Sequence, residues 1–348
     1  MYAAASRTPD RDRQRFYDRL KPHALAPLWE VLKGLVPPEP KSKAAVHAWD
    51  YAAIRPLLLE AGELLTAEEA ERRVLVLENP ALPGQSRITP SLYAGVQLIL
   101  PGETAPVHRH VASALRFVLE SDGGYTAVAG ERTTMRRGDF VITPNWAWHD
   151  HGHDGDKPVI WVDGLDLPIV NFFEAGFSEH RNETRQPIDK PEGDSLARFG
   201  SGLVPLTAAA PFGATSPIFS YPYAKSRAAL LAVAAAGAPD PYLAHALRYA
   251  NPIDGGWAMP TLATWLTHIP NGFETKPIRS TDGQVVVVVE GEISVEAGGK
   301  TFMLEESGIL ALPGWTWRRY RATRDAILFS FSDRSAQEKL AIWREQKQ

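Results

Sequence analysis

The chain contains no cysteine. Disulfides, thiolate nucleophiles and sulfur-ligated metals are thereby excluded, and any metal site must use histidine, carboxylate or water. Net charge is nearly absent as well: 37 Lys and Arg against 41 Asp and Glu leave −4. So small an imbalance gives no reason to expect nucleic acid or an anionic membrane as a partner. Long apolar runs are also missing, since the longest, residues 228–238, is too short and too rich in alanine to cross a bilayer. The opening MYAAASRTPDRDRQRF has no apolar core segment and carries acidic residues, so it does not read as a secretory signal. These absences make a soluble, cytoplasmic protein the expectation. A hydrophobic content of 44% and a charged content of 22% fit a globular chain.

What the chain does have is histidine in two tight groups. Of ten histidines, five fall between residues 108 and 153, as His108 and His110, then His149, His151 and His153. Spacing by two puts side chains on one face of an extended strand, so each group presents its imidazoles together. Neutral imidazole is the usual ligand of a first-row metal ion.

Periodicity divides the rest. Residues 1–85 read as a helical arm, with apolar residues at helical spacing in 16–20 and 28–32, a break at Pro37-Pro38, and further helical stretches over 51–65 and 66–73. From about Ser91 the period becomes two, and short strands separated by Gly and Pro turns predict a small barrel over 86–181. Residues 182–250, rich in Pro and Ala, read as a connector carrying one helix, 226–236. A second strand-rich block, 251–334, precedes a C-terminal helix, 335–348. The second block repeats the first: Phe117–Glu120 and Gly138–His149 have counterparts in Val287–Glu290 and Gly308–Arg318.

The first block matches the spacing of the cupin motifs. Gly102 stands six residues before His108, Gly138 six before Pro144, and His149 five beyond that proline. Two histidines on one strand and a third about 40 residues later predict a barrel metal site of His108, His110 and His149. Hydrogen-bonded, inert rim histidines are the competing reading. The usual cupin glutamate is missing, because Ala114 and Leu115 occupy its two customary positions. Three neutral ligands would leave the metal's charge uncompensated and three octahedral positions open. That suits an anionic chelating substrate together with dioxygen.

His151 is expected to point into the same cavity and to handle a proton, whereas His153 is expected to be incidental. Arg116, six residues after His110, falls on the same barrel face, where a buried guanidinium calls for a carboxylate. Gln97 is the polar exception in an apolar strand, and Gly95 leaves room where a side chain would sit. With Tyr93 from that strand they are candidate substrate contacts. Arg72 and Arg73 are candidates for the pocket mouth, against the commoner reading of a solvated helix face.

Residues 108–117, 130–135, 148–153 and 163–168 together resemble the gentisate 1,2-dioxygenase family. The family's members are Fe(II)-dependent, ring-cleaving bicupins and include salicylate and 1-hydroxy-2-naphthoate dioxygenases. The resemblance implies a mainly β fold of two double-stranded β-helix barrels. It implies Fe(II) on His108, His110 and His149, O2 as co-substrate, and a homotetramer. It also implies substrate contacts from Arg116, His151 and Gln97, and a supporting carboxylate from the pair Asp163 and Asp166, with Asp166 taken as the catalytic member. Gentisate, giving maleylpyruvate, is the favoured substrate. Salicylate or 1-hydroxy-2-naphthoate is the alternative, and a non-redox cupin (isomerase or binding protein) the rival from another class.

Aligning Pro277 with Pro106 and Pro313 with Pro144 puts Arg279, Thr281 and Arg318 where the three ligands stand. Such a set cannot hold a cation, so one iron per chain, in the first barrel, is expected.

Overall fold

Alternation along the strands determines what faces what. In Ala114–Glu120 the residues Leu115, Phe117 and Leu119 point one way and Arg116 and Val118 the other, and all are buried. A strand buried on both faces must be covered on both, and here a barrel interior lies on one side and a second barrel on the other. The computed structural model describes residues 10–207 and 212–348. Among these, residues 10–41 form one compact unit and residues from Ser42 to Gln348 another. The first unit carries the helices Asp10–Leu20 and Leu28–Leu35, neither of which buries a residue.

The second unit holds both barrels. In the first, a sheet in the order Ser220–Tyr221, Phe140–Thr143, Ala114–Glu120, Val159–Leu165, Tyr93–Ile99, Val74–Val76 faces a sheet in the order Ser178–His180, Thr104–His110, His149–His153, Gly124–Val128, Glu131–Thr134. The second barrel repeats this pair of sheets with strands from His47–Trp49 to Glu345–Lys347. The larger sheets of the two barrels pack back to back. Leu115, Phe117, Phe140 and Val162 of one share a core with Val285, Val287, Phe329 and Phe331 of the other, and Phe117 stacks on Phe329 at 4.1 Å and 11°.

Three expected boundaries change. The stretch 1–85 is not a purely helical arm, because His47–Trp49 pairs with Ile309–Leu312 in the second barrel and Val74–Val76 pairs with Tyr93–Ile99 in the first. Between them the helix Tyr51–Leu64 is capped by Asp50, whose side chain accepts from the Ala52 amide at 2.9 Å. The connector likewise lends a strand to each barrel, Ser220–Tyr221 and His245–Arg248. The terminal helix stops at Lys339, and Glu345–Lys347 then pairs with Ile278–Ser280. The two- and three-residue edge strands among these carry too few residues to show a period of two, which is why alternation did not reveal them.

Candidate metal centre

His108 and His149 lie directly opposite each other on paired strands, and His110 follows on the same face. Ring centroids are 4.1 Å apart for His108 and His149, 4.9 Å for His110 and His149, and 5.2 Å for His108 and His110. One nitrogen from each comes within 4.8 Å of the others.

The turn before His149 is the same in both barrels. Trp146 sits at φ 61° and Trp315 at φ 62°, a conformation uncommon for a bulky side chain. The Trp146 amide is held by the His110 carbonyl at 2.8 Å, and the Arg109 guanidinium lies 4.4 Å from the Trp146 ring and 4.6 Å from the Trp148 ring.

Hydrogen bonds fix which nitrogen faces the centre. His110 Nδ1 donates to the Ala112 carbonyl at 2.6 Å and His149 Nδ1 to the Ala147 carbonyl at 2.9 Å, so both Nε2 atoms keep free lone pairs. His149 Nε2 is buried with no hydrogen-bond partner. An orphaned buried acceptor beside two further imidazoles is the arrangement a metal ion satisfies. Burial depresses all three pKa values, that of His110 to about 4, which keeps the imidazoles neutral as ligands must be. The residues fit a divalent first-row metal.

A second cluster lies beside the triad. Arg116 Nη1 donates to Thr143 Oγ1 at 2.5 Å, its Nη2 lies 2.9 Å from His151 Nε2, and its Nε lies 3.6 Å from Asp163 Oδ1. Because guanidinium can only donate, His151 Nε2 is the acceptor and its proton sits on Nδ1. That Nδ1–H donates to Thr126 Oγ1 at 2.9 Å, and the Thr126 hydroxyl in turn donates to Met135 Sδ at 3.3 Å. His151 is thus held neutral, in one tautomer, with its pKa lowered first by burial and then by the Arg116 charge. Burial raises Asp163 to about 6, against the opposing pull of Arg116 and the hydrogen bond from Trp161 Nε1 at 2.9 Å.

The other expected site residues are placed unevenly. Arg72 does reach the triad: its Nη2 donates to the Pro106 carbonyl at 2.8 Å, contacts His108 Nδ1 and lies 3.2 Å from His108 Nε2. Arg73 does not, since its guanidinium is spent on a two-pronged ion pair with Glu103 at 2.8 Å. Tyr93 and Gly95 lie on the strand facing Asp163, but the space at Gly95 is already taken. A Cβ there would stand 2.4 Å from a Val74 methyl and 3.1 Å from the Tyr93 hydroxyl, so Gly95 admits those neighbours rather than a larger ring.

Gln97 is buried opposite Trp161 and lines a small void with Arg73 and Glu103. Asp166 lies apart from Arg116. Its two oxygens accept from the Ser113 amide at 2.8 Å and from Thr261 Oγ1 at 2.5 Å, and Asp163 holds the place beside Arg116. His153 ties down its own turn, accepting from the Gly155 amide at 3.0 Å. Thr126 and Thr143 were not foreseen, nor was His180, which Ser178–His180 stacks on His108 at 5.9 Å.

The second barrel corrects the proline alignment by one residue. Arg318 pairs with Ile278 as His149 pairs with His108, and the Trp315 amide binds the Ser280 carbonyl at 2.6 Å as the Trp146 amide binds that of His110. Arg279, 4.4 Å and 4.7 Å from the Trp315 and Trp317 rings, is the counterpart of Arg109. The three ligand positions therefore hold Ile278, Ser280 and Arg318, not Arg279, Thr281 and Arg318. Among the described residues the first-barrel triad is the single metal-ligating cluster.

Comparison with known proteins agrees with this geometry. A family model described as a cupin domain matches residues 95–165. A gentisate 1,2 dioxygenase 1 from Aquipseudomonas alcaligenes is 52% identical over 337 residues, spanning 97% of each chain. The chain belongs to the gentisate 1,2-dioxygenase family. Within that family a gentisate 1,2-dioxygenase from Ralstonia sp is 38% identical over 95% of this chain and 93% of its own length. A crystal structure of salicylate 1,2-dioxygenase from Pseudoaminobacter salicylatoxidans, in adducts with gentisate, superposes with a TM-score of 0.92 at 33% identity, covering 100% of this chain and 97% of that one. Membership bears out the bicupin fold and the ring-cleaving dioxygenase class read from the sequence.

Proposed function

We propose that this chain cleaves gentisate between the carboxyl-bearing carbon and the adjacent hydroxyl-bearing carbon, adding both atoms of O2 to give maleylpyruvate. The observation that carries the reading is a neutral His108–His110–His149 triad with an orphaned Nε2, set beside a buried Arg116 whose one carboxylate partner among the described residues, Asp163, stands 3.6 Å away. Fe(II), one per chain on that triad, would supply the redox chemistry that lets dioxygen react with the ring.

The protein's own part is binding and proton handling. Arg116 offers its planar donors to the substrate carboxylate, with Arg72 as a second cation at the His108 edge. His151 then exchanges Arg116 for the substrate, and its Nε2 lone pair, fixed by the Nδ1–H to Thr126, takes the phenolic proton. Asp163 holds Arg116 from behind, and Trp161 aligns Asp163. The filled space at Gly95 favours a single substituted ring over a naphthalene. A cytoplasmic homotetramer completes the reading, supported by family membership.

Oxygen uptake by the iron-reconstituted protein with gentisate, salicylate and 1-hydroxy-2-naphthoate in parallel is the test. Uptake highest with gentisate, at one O2 per ring, is expected; no uptake with any of the three would refute the assignment. His108→Ala should lose both iron and turnover, and metal analysis of the wild type should give one iron per chain rather than two.

A further inference from the structure

The interior of the second barrel is not filled where its metal would have been. A cavity of about 330 Å³ lies there, within the range of small-molecule sites. Ile278, Ser280 and Arg318, the counterparts of the three ligands, all line it. Arg318 is only 7% exposed, yet its guanidinium meets hydroxyls alone, Ser280 Oγ at 3.1 Å and the phenol of Tyr320. Among the described residues no carboxylate pairs with it. Asp282 and Glu345 also face the cavity, but the two oxygens of Asp282 accept from Gln284 Nε2 and Trp343 Nε1, each at 3.0 Å, and Glu345 is paired with Lys347 at 3.0 Å. A buried guanidinium with donors to spare is costly unless an anion completes it. Trp257, Trp265 and Tyr320 are on the lining, with the Arg248 and Arg334 guanidinium groups each 5.5 Å from the Trp257 ring centroid.

We propose that the second barrel binds a small planar carboxylate, its carboxyl group on Arg318 and Ser280 and its ring against the tryptophans. The site is independent of the metal centre and of the substrate assigned to it, because the cavity is lined by Leu328 and Ser330, on the strand face opposite the Phe329 and Phe331 of the shared core. Replacing the ligand set with Ile278, Ser280 and Arg318 removes cation binding and leaves the barrel an anion receptor.

The probe is 4-bromobenzoate, whose bromine can be located directly. Crystals of the iron-loaded enzyme soaked with it should show a bromine peak in the second barrel with the carboxylate against Arg318. Bromine in the first barrel alone, or nowhere, overturns the proposal. In solution, calorimetry on the holoenzyme should count two sites per chain. Arg318→Gln should weaken the second-barrel site about tenfold or more and leave gentisate turnover unchanged. Ser330→Leu, which keeps Arg318 but fills the cavity, should remove the second site altogether. Binding unaltered in both variants, or a bromine peak that calorimetry does not reproduce at millimolar concentration (an adventitious additive only), refutes the inference. Should a variant not fold, the bromine map still decides.

Discussion

Arg116 constrains its neighbours because a guanidinium has five donors and no acceptor. Whatever touches it must accept, and that single fact assigns the His151 tautomer without any observed hydrogen. Thr126 completes the assignment from the other side of the ring. Thr126→Val keeps the shape but leaves the His151 Nδ1–H buried and unpaired, at a cost of about 1–3 kcal/mol. The ring is then free to turn or change tautomer. Turnover should fall about tenfold or more while iron content stays at the wild-type level, as when an orienting partner behind a functional histidine is lost. Steady-state kinetics beside metal analysis reads the two separately. Wild-type kcat in an iron-replete Thr126→Val enzyme would remove Thr126 from the machinery.

Strand periodicity explains how much was legible at the scale of the element. The two histidine groups and Arg116 lie on strands of five to seven residues, long enough for alternation to set each side chain's face. The two- and three-residue strands gave no such signal, and they bring His180 to His108 and Val74 to Gly95. The second-barrel register failed for a related reason: prolines mark turns, whereas facing is set by pairing, and Pro277 stands one residue off the position of Pro106. Asp166 was taken as the catalytic carboxylate from the family resemblance, yet the strand Val159–Leu165 ends between it and Asp163 and turns Asp166 toward Ser113 and Thr261.

That position makes a stability prediction. Burial raises the folded-state pKa of Asp166 to about 6 from an ordinary 3.8, so ionising it costs stability as pH rises from about 4 to 6, and the whole cost remains above that. Asp166→Asn removes the charge while its Oδ1 still accepts from the Ser113 amide and its Nδ2 donates to the Thr261 hydroxyl, which turns from donor to acceptor. Relative to wild type it should gain about 1 kcal/mol more at pH 7.5 than at pH 5, read from thermal melts at the two pH values. A difference that does not change with pH would show that the buried carboxyl titrates normally.

At the scale of the whole molecule, the two barrels share one core, so the metal-free barrel is part of what keeps the metal-binding sheet in place. The two barrels come close at Gly164, beside Asp163 on the strand Val159–Leu165. A Cβ there would stand 2.8 Å from the Phe331 ring of the other barrel and 3.0 Å from Leu115. No flexible chain end offers relief, because Phe331 is wholly buried against Phe329. Gly164→Val should therefore overpack the seam by about 1–3 kcal/mol and lower Tm by several degrees, at roughly 2–4 °C per kcal/mol for a large domain. If the clash is with Phe331 itself, trimming that ring creates the room the valine needs. Phe331→Leu alone should destabilise by leaving a void, while the double variant should be more stable than the sum of the two losses predicts. Strict additivity of the two effects in denaturant melts would mean that the barrels do not meet at this pair.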